Sequence, residues 1–216
     1  MFNMRIEEKK FVEYIKQFYK KPITVVDVGA NLGKYTEYLD KHINLKMSYL
    51  FEPIKSCFNK IPKKEYYKAF NIGIGSKQDE VQFYEAEGKE SHSSIVNREW
   101  LYNKPEYKIN KKIIPIDRLD NIIKEKVEVL KIDTEGYELE TLKGASDLLN
   151  ESKIDFIQFE YGGCFKDNSV KMNDVIDFLK KYDYYIYELK DNNFEKIEWY
   201  EDDYRWVNFY ATKKEL

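Results

Sequence analysis

Acidic residues stand at or just past the ends of several short apolar runs, where a parallel sheet would present them to a ligand. Asp27 closes most of Ile23–Val28, Glu52 follows Lys46–Phe51, Asp133 follows Val127–Ile132, and Glu160 follows Ile154–Phe159. Carboxylates at such positions can accept hydroxyl hydrogen bonds, take up a proton, or hold a divalent cation through oxygen. Asp27 also leads into the turn Gly29-Ala30-Asn31-Leu32-Gly33. Its two glycines, four apart, allow a sharp reversal and a close approach of backbone to ligand. The helix that follows would offer N-terminal amides to an anion such as an amino-acid carboxylate.

A dinucleotide site would need G-x-G-x-x-G. Here Asn31 occupies the second glycine position, and its side chain would obstruct a pyrophosphate. Nineteen residues after Gly33, Glu52 is placed to accept both hydroxyls of a ribose. A nucleoside without a pyrophosphate satisfies both signals, and S-adenosylmethionine is such a ligand. The expected cofactor set is Asp27, Gly29, Ala30, Asn31, Gly33, Tyr35, Glu52, Pro53, Ile72, Gly73 and Asp133. Gly73-Ile74-Gly75 on its own reads as an ordinary turn.

Methyl transfer from a sulfonium is an in-line displacement, and alignment of the reacting atoms can lower the barrier by roughly 7–11 kcal/mol. A hydroxyl acceptor also needs a base or a metal ion as its proton leaves. Asp133 is the first candidate for base or metal ligand, with Glu135 beside it. Both could equally open a helix and cap its free amides. Glu160 would neighbour Asp133 if their strands are adjacent, so the two could hold Mg²⁺, and Lys131 could instead pair with one of them. His92 offers a neutral imidazole as base or clamp. With Ser94, Arg98, Trp100 and Tyr161 it forms the expected acceptor set, although Arg98 and Trp100 could simply anchor the segment that carries them. His42 reads as a residue of a last helical turn.

The segment Val25-Val26-Asp27-Val28-Gly29-Ala30-Asn31-Leu32-Gly33-Lys34-Tyr35-Thr36 resembles the first motif of the FkbM family of methyltransferases. Phe51-Glu52-Pro53 and Leu130-Lys131-Ile132-Asp133-Thr134-Glu135-Gly136-Tyr137-Glu138, continuing to Leu142-Lys143-Gly144-Ala145, resemble further family segments. Ser93-Ser94 and Ile116-Asp117-Arg118-Leu119-Asp120 do so more weakly. The resemblance runs in consistent order from Val25 to Tyr161. It implies an O-methyltransferase acting on a hydroxyl of a sugar, polysaccharide, polyketide or similar small molecule, without fixing which.

These residues need a scaffold, and the hydrophobic pattern supplies one. Arg5 to Tyr19 reads as an amphipathic helix with Ile6, Phe11, Tyr14, Ile15 and Phe18 inward, ended by Pro22. Thereafter strands and helices alternate. Strands are expected at Ile23–Val28, Lys46–Phe51, Tyr66–Ile74, Val127–Ile132, Ile154–Phe159, Tyr184–Glu188 and Trp206–Ala211. Helices are expected at Lys34–His42, Ile54–Ile61, Tyr137–Leu149 and Asn173–Lys181. Alternation of this kind predicts a single α/β domain over residues 1–216, a Rossmann-like class I methyltransferase fold with a mostly parallel seven-stranded sheet and helices on both faces. Residues 1–21 hold the leading helix. Residues 78–116 break the rhythm with short strands around a Ser-rich, Trp-bearing stretch, expected to shape the acceptor site.

With 43% apolar and 35% charged residues in 216, the chain can bury a core, which excludes a disordered chain. The net charge of −3 gives no general attraction to nucleic-acid backbones. The stretch Glu160-Tyr161-Gly162-Gly163 lacks the Pro-Pro-aromatic signature of base-amine methylation, so a nucleic-acid acceptor is disfavoured. A silent binding protein is disfavoured because it would have no need of Asp27, Glu52, Asp133 and Glu135 at their strand ends. Cys57 and Cys164 have no metal-ligand spacing and read as reduced thiols. Met1 to Lys10 is charged without an apolar signal region, and no apolar run approaches a membrane span. A soluble cytoplasmic protein with a small-molecule or glycan partner is the expectation.

Overall fold

A computed structural model describes residues 4–216. The central layer is an eight-stranded sheet built from β1 (Ile23–Val28), β2 (Leu45–Phe51), β3 (Tyr67–Phe70), β7 (Val127–Ile132), β8 (Ile154–Tyr161), β9 (Tyr185–Lys190), β10 (Asn193–Ile197) and β11 (Val207–Thr212). Their order is β10-β9-β11-β8-β7-β1-β2-β3. β1 pairs in parallel with β2 and β7, β7 with β8, and β2 with β3. β11 runs antiparallel between β8 and β9, and β10 antiparallel to β9. The second sheet joins β4 (Gly73–Ile74), β6 (Ile109–Asp117) and β5 (Asp79–Ala86) in the order β4-β6-β5.

All six residues of β1 are buried, because helices cover both faces of the sheet. On one face α1 (Ile6–Phe18) and α2 (Lys34–His42) pack Phe11, Val12, Ile15, Tyr35 and Leu39 against Phe156 and Tyr210. On the other lie α6 (Glu138–Lys143), α7 (Ser146–Asn150) and α9 (Met172–Lys180). α9 buries Met172, Val175, Ile176 and Leu179, the i, i+3, i+4, i+7 stripe of an amphipathic helix. Each such side chain contributes about 1.5–3 kcal/mol relative to exposure. The one-turn helices α3 (Lys55–Phe58), α4 (Glu99–Tyr102), α5 (Leu119–Ile122) and α8 (Gly163–Asp167) lie in the connections. Asp120 accepts the amides of Asp147 and Leu148 at 3.0 and 3.1 Å, tying α5 to the start of α7. Cys57 and Cys164 are free and buried. Among the described residues no helix is long and apolar enough to cross a membrane.

Several expected elements take a different form. The main sheet has eight strands rather than seven, because β9 folds back into β10 through Asp191-Asn192, both with positive φ (46° and 72°). That is the twist a two-residue hairpin needs, and the polar edge strand it adds carries little hydrophobic signal. Tyr66–Ile74 divides: β3 stays in the main sheet, while β4 leaves it to pair with β6. Tyr137–Leu149 breaks into α6 and α7 around Gly144, where a Cβ would stand 2.1 Å from the Gly75 carbonyl oxygen. Ile54–Ile61 keeps only the turn of α3. In α1 the buried stripe is Glu8, Phe11, Val12 and Ile15, leaving Ile6 68% exposed on the opposite side. The stretch 78–116 forms the β5–β6 hairpin, and its tip region folds back so that Ser94 bridges to Tyr84.

Candidate active site

The carboxyl ends of β1, β2, β7 and β8 converge on a cavity of about 380 Å³, within the range of small-molecule sites. The turn after β1 is fixed by contact with the turn after β7. Gly29 has φ +78°, and a Cβ there would lie 1.8 Å from the Asp133 carbonyl oxygen, so only glycine allows the two loops to meet. Asn31 takes φ 49°, which Asn tolerates better than most residues. The amides of Gly29 and Ala30 both donate to the Phe51 carbonyl at 3.0 Å, and Gly33 N–H donates to Ala30. These three amides are therefore satisfied within the protein.

Glu52 is held from two sides. Asn31 N–H donates to Oε2 and Ile54 N–H to Oε1, each at 2.7 Å, leaving further lone pairs on both oxygens. Burial pushes its pKa up to about 7 against the pull of those two amides. Asp27 lies beneath the cavity rather than on its wall. It is fully buried, its Oδ2 accepts from the Thr36 hydroxyl at 2.7 Å, and Oδ1 faces Lys131 Nζ at 3.7 Å. Burial raises Asp27 as well.

Across the cavity, Asp133, Glu135 and Glu160 bring carboxylate oxygens within 4.8 Å of one another. Each has a cation from a different element. Lys131 Nζ donates to Asp133 Oδ2 at 3.0 Å, Arg98 to Glu135 at 2.5 Å, and Arg5 to Glu160 at 2.5 Å. Burial would lower the Lys131 pKa, but Asp133, Asp27 and Glu8 hold it above its usual value. Burial and the Asp133 charge push Glu135 up to about 8 despite Arg98, and raise Glu160 well above the carboxylate range. Asp133 is the most exposed of the three, at 35% against 14% and 9% for the side chains of Glu135 and Glu160.

Glu138, the first residue of α6, ties together the loop that carries Asp133 and Glu135. Its carboxylate accepts Thr134 N–H at 2.9 Å, the Thr134 hydroxyl at 3.0 Å and Gly136 N–H at 3.0 Å. That grip holds Glu135 at φ 55° and Gly136 at φ 108°, turning the Glu135 side chain toward Arg98. Ser94 Oγ donates to the Glu135 carbonyl at 2.7 Å, binding the 78–116 stretch to the same loop.

All five expected catalytic residues, Asp133, Glu135, Glu160, His92 and Lys131, line the cavity. So do Gly29, Ala30, Asn31, Tyr35, Glu52, Pro53 and Gly73 of the cofactor set, whereas Asp27, Gly33 and Ile72 do not. The expected acceptor residues separate, since only His92 reaches the wall. Its Nδ1 lies 2.6 Å from the Tyr107 hydroxyl, and burial, with Arg98 and Lys89, lowers its pKa. Ser94 is buried in its loop contact. Arg98 is fully buried between the rings of Trp100 and Trp206, its guanidinium carbon 6.0 and 5.6 Å from their centroids. Trp100 is 51% exposed and donates from Nε1 to Asp167. Tyr161 is a core residue whose hydroxyl donates to Asp202 at 2.9 Å. Ser94, Trp100 and Tyr161 thus have their polar side-chain atoms engaged within the protein, whereas Arg98 donates from Nη1 to Glu135 and leaves Nε buried without a hydrogen bond. Arg5 and Glu8, on the wall from α1, were not expected there; their segment reads as an ordinary charged helix start.

The family model of the methyltransferase FkbM domain matches residues 27–186, from the end of β1 to the start of β9. The chain belongs to the FkbM methyltransferase family. Among solved structures, the FkbM methyltransferase from Methylobacillus flagellatus KT is similar, with TM-score 0.56 and 16% identity over 88% of this chain. This chain spans 43% of that protein's length. An rRNA methylase from Streptococcus thermophilus aligns over 100% of both chains with TM-score 0.52 and 10% identity. M. capricolum TrmK, solved with S-adenosylhomocysteine, gives TM-score 0.50 and 12% identity over 97% of this chain and 69% of its own. At such identities the likeness is one of fold, and the shared fold is that of S-adenosylmethionine-dependent methyltransferases. No curated protein sequence shows a significant match. Within this FkbM domain the matched span contains Glu52 and the three clustered acids, while Arg5 and Glu8 lie before it.

Proposed function

We propose that this FkbM-family chain is an S-adenosylmethionine-dependent O-methyltransferase whose acceptor is a hydroxyl of a sugar, glycan or related small molecule. One observation carries the reading. A single cavity is lined by Glu52, with lone pairs to spare, by the Lys131–Asp133 ion pair and by His92. The residues fit the cofactor. Glu52 suits the ribose hydroxyls, and Ile54, Phe83 and Ile95 give apolar wall for a base. The bound cofactor supplies the electrophilic methyl group.

This chain's residues orient the acceptor and manage its proton. Asp133 takes that proton, because it is the most open of the three acids and Lys131 fixes its carboxylate. Arg98 and Arg5 hold Glu135 and Glu160 in place around it. His92 supports a second reading for the base: burial keeps its ring neutral near pH 7, and with Nδ1 engaged by Tyr107, Nε2 remains to accept a proton. Mg²⁺ does not suit the cluster as built, since Lys131, Arg98 and Arg5 already neutralise its three carboxylates, and no step is assigned to a metal. The acid-rich cavity and the net charge of −3 favour a neutral acceptor over a polyanion such as RNA.

The test is S-adenosylhomocysteine release against a panel of free sugars, glycosides and oligosaccharides, with RNA as comparator and chelator present throughout. Turnover on a hydroxylated small acceptor supports the proposal. Turnover on RNA alone refutes its acceptor class.

A further inference from the structure

The cavity has three basic side chains on its wall besides His92: Arg5, Lys34 and Lys131. Lys131 is held between Asp133 and Asp27, and Lys34 pairs with Glu37 at 2.6 Å. In the turn after β1, the amides of Gly29 and Ala30 donate to Phe51, that of Asn31 to Glu52 and that of Gly33 to Ala30. Arg5 differs. One guanidinium nitrogen, Nη2, is fixed by Glu160, while Nη1 is buried with no hydrogen-bond acceptor among the described residues; the Glu7 carboxylate stands 4.0 Å from it. A buried, unmatched guanidinium N–H is costly and calls for an acceptor oxygen.

The sheet serves as a ruler for what that oxygen belongs to. Glu160 ends β8 and Glu52 follows β2, with β7 and β1 between them. Three strand spacings make roughly 14 Å, shortened by the Glu and Arg side chains that reach inward from either side. A ligand that meets both ends has a nucleoside at one and a charged tail at the other.

Resting on the cofactor assignment above, we infer that Arg5 receives the α-carboxylate of the cofactor's amino-acid portion. Glu160 is the positioning residue that aims the guanidinium. The leading helix thus completes the cofactor site from outside the span matched by the family model. Arg5 also begins that helix, where the Glu8 carboxylate accepts its backbone N–H at 2.9 Å, so its position is set by the helix start itself.

The experiment is calorimetric titration with two probes, S-adenosylhomocysteine and methylthioadenosine, which carries the nucleoside and sulfur without the amino acid. Wild type, Arg5→Gln and Arg5→Lys are compared, with Glu52→Ala as reference and thermal melts to show that each variant is folded. Arg5→Gln weakens S-adenosylhomocysteine by about tenfold to a hundredfold and leaves methylthioadenosine unchanged, with Arg5→Lys in between. Glu52→Ala weakens both probes. If Arg5→Gln leaves both affinities intact, or lowers both equally, Arg5 does not read the carboxylate and the inference is overturned. If folded wild type binds neither probe, the cofactor assignment fails and takes this inference with it.

Discussion

Glu52 makes the stability of the ligand-free protein depend on pH in a direction opposite to that of most carboxylates. The folded state raises its pKa from 4.5 to about 7, because burial outweighs the amides of Asn31 and Ile54. A folded state that holds a proton more tightly than the unfolded chain is favoured at low pH. The contribution is therefore complete below pH 4.5 and is lost as pH rises through 7. The shift converts to an upper bound of about 3 kcal/mol. Urea denaturation at pH 5 and pH 8, wild type beside Glu52→Gln, isolates this term from those of Glu135, Glu138 and Glu160, which are raised for the same reason. Wild type should lose more stability between the two pH values than the variant does, by up to that amount. Equal losses would show that Glu52 carries no unfavourable charge in the folded state, and the argument from burial would be wrong.

Three substitutions probe the remaining elements. Gly29→Ala places a methyl group on the Asp133 carbonyl and forces alanine to φ +78°; thermal melts should show a loss of at least about 1–2 kcal/mol, and S-adenosylhomocysteine binding should fall with it. Asp133→Asn should lower kcat by about 10²–10⁴ while changing S-adenosylhomocysteine affinity only a few-fold, measured by turnover and calorimetry; turnover at the wild-type rate would pass the base role to His92. Arg98→Met leaves Glu135 buried without its partner and should cost about 3–5 kcal/mol in denaturant melts, whereas an unchanged midpoint would show that Trp100 and Trp206 alone secure this loop.

The parallel core was legible because β1, β7 and β8 are short runs rich in Val, Ile, Leu and Phe, which a sheet covered on both faces buries almost entirely. The residues on the cavity wall at those strand ends followed from the same pattern. Alternation gives a strand's end, and its end faces the ligand crevice. What the pattern could not give was side-chain pairing. Arg98 and Trp100 look alike as exposed acceptor-site residues until the fold closes one between two indoles and leaves the other at the surface. Glu138 grips the loop because the chain turns at Glu135 and Gly136, a backbone feature that spacing alone does not reveal. β10 escaped because an edge strand needs no apolar face, although Asp191-Asn192 was a readable hairpin signal. Arg5 was hidden by the ordinary composition of its helix, and only its contact with Glu160, 155 residues away, gives it meaning.

Calorimetric titration with S-adenosylhomocysteine, wild type beside Glu52→Ala and with NAD as a control, tests the central claim most directly. The account predicts binding to wild type, a loss of about tenfold or more in Glu52→Ala, and no comparable binding of NAD. Folded wild type that does not bind S-adenosylhomocysteine, or a Glu52→Ala variant that binds it equally well, would contradict the assignment of this cavity to the cofactor.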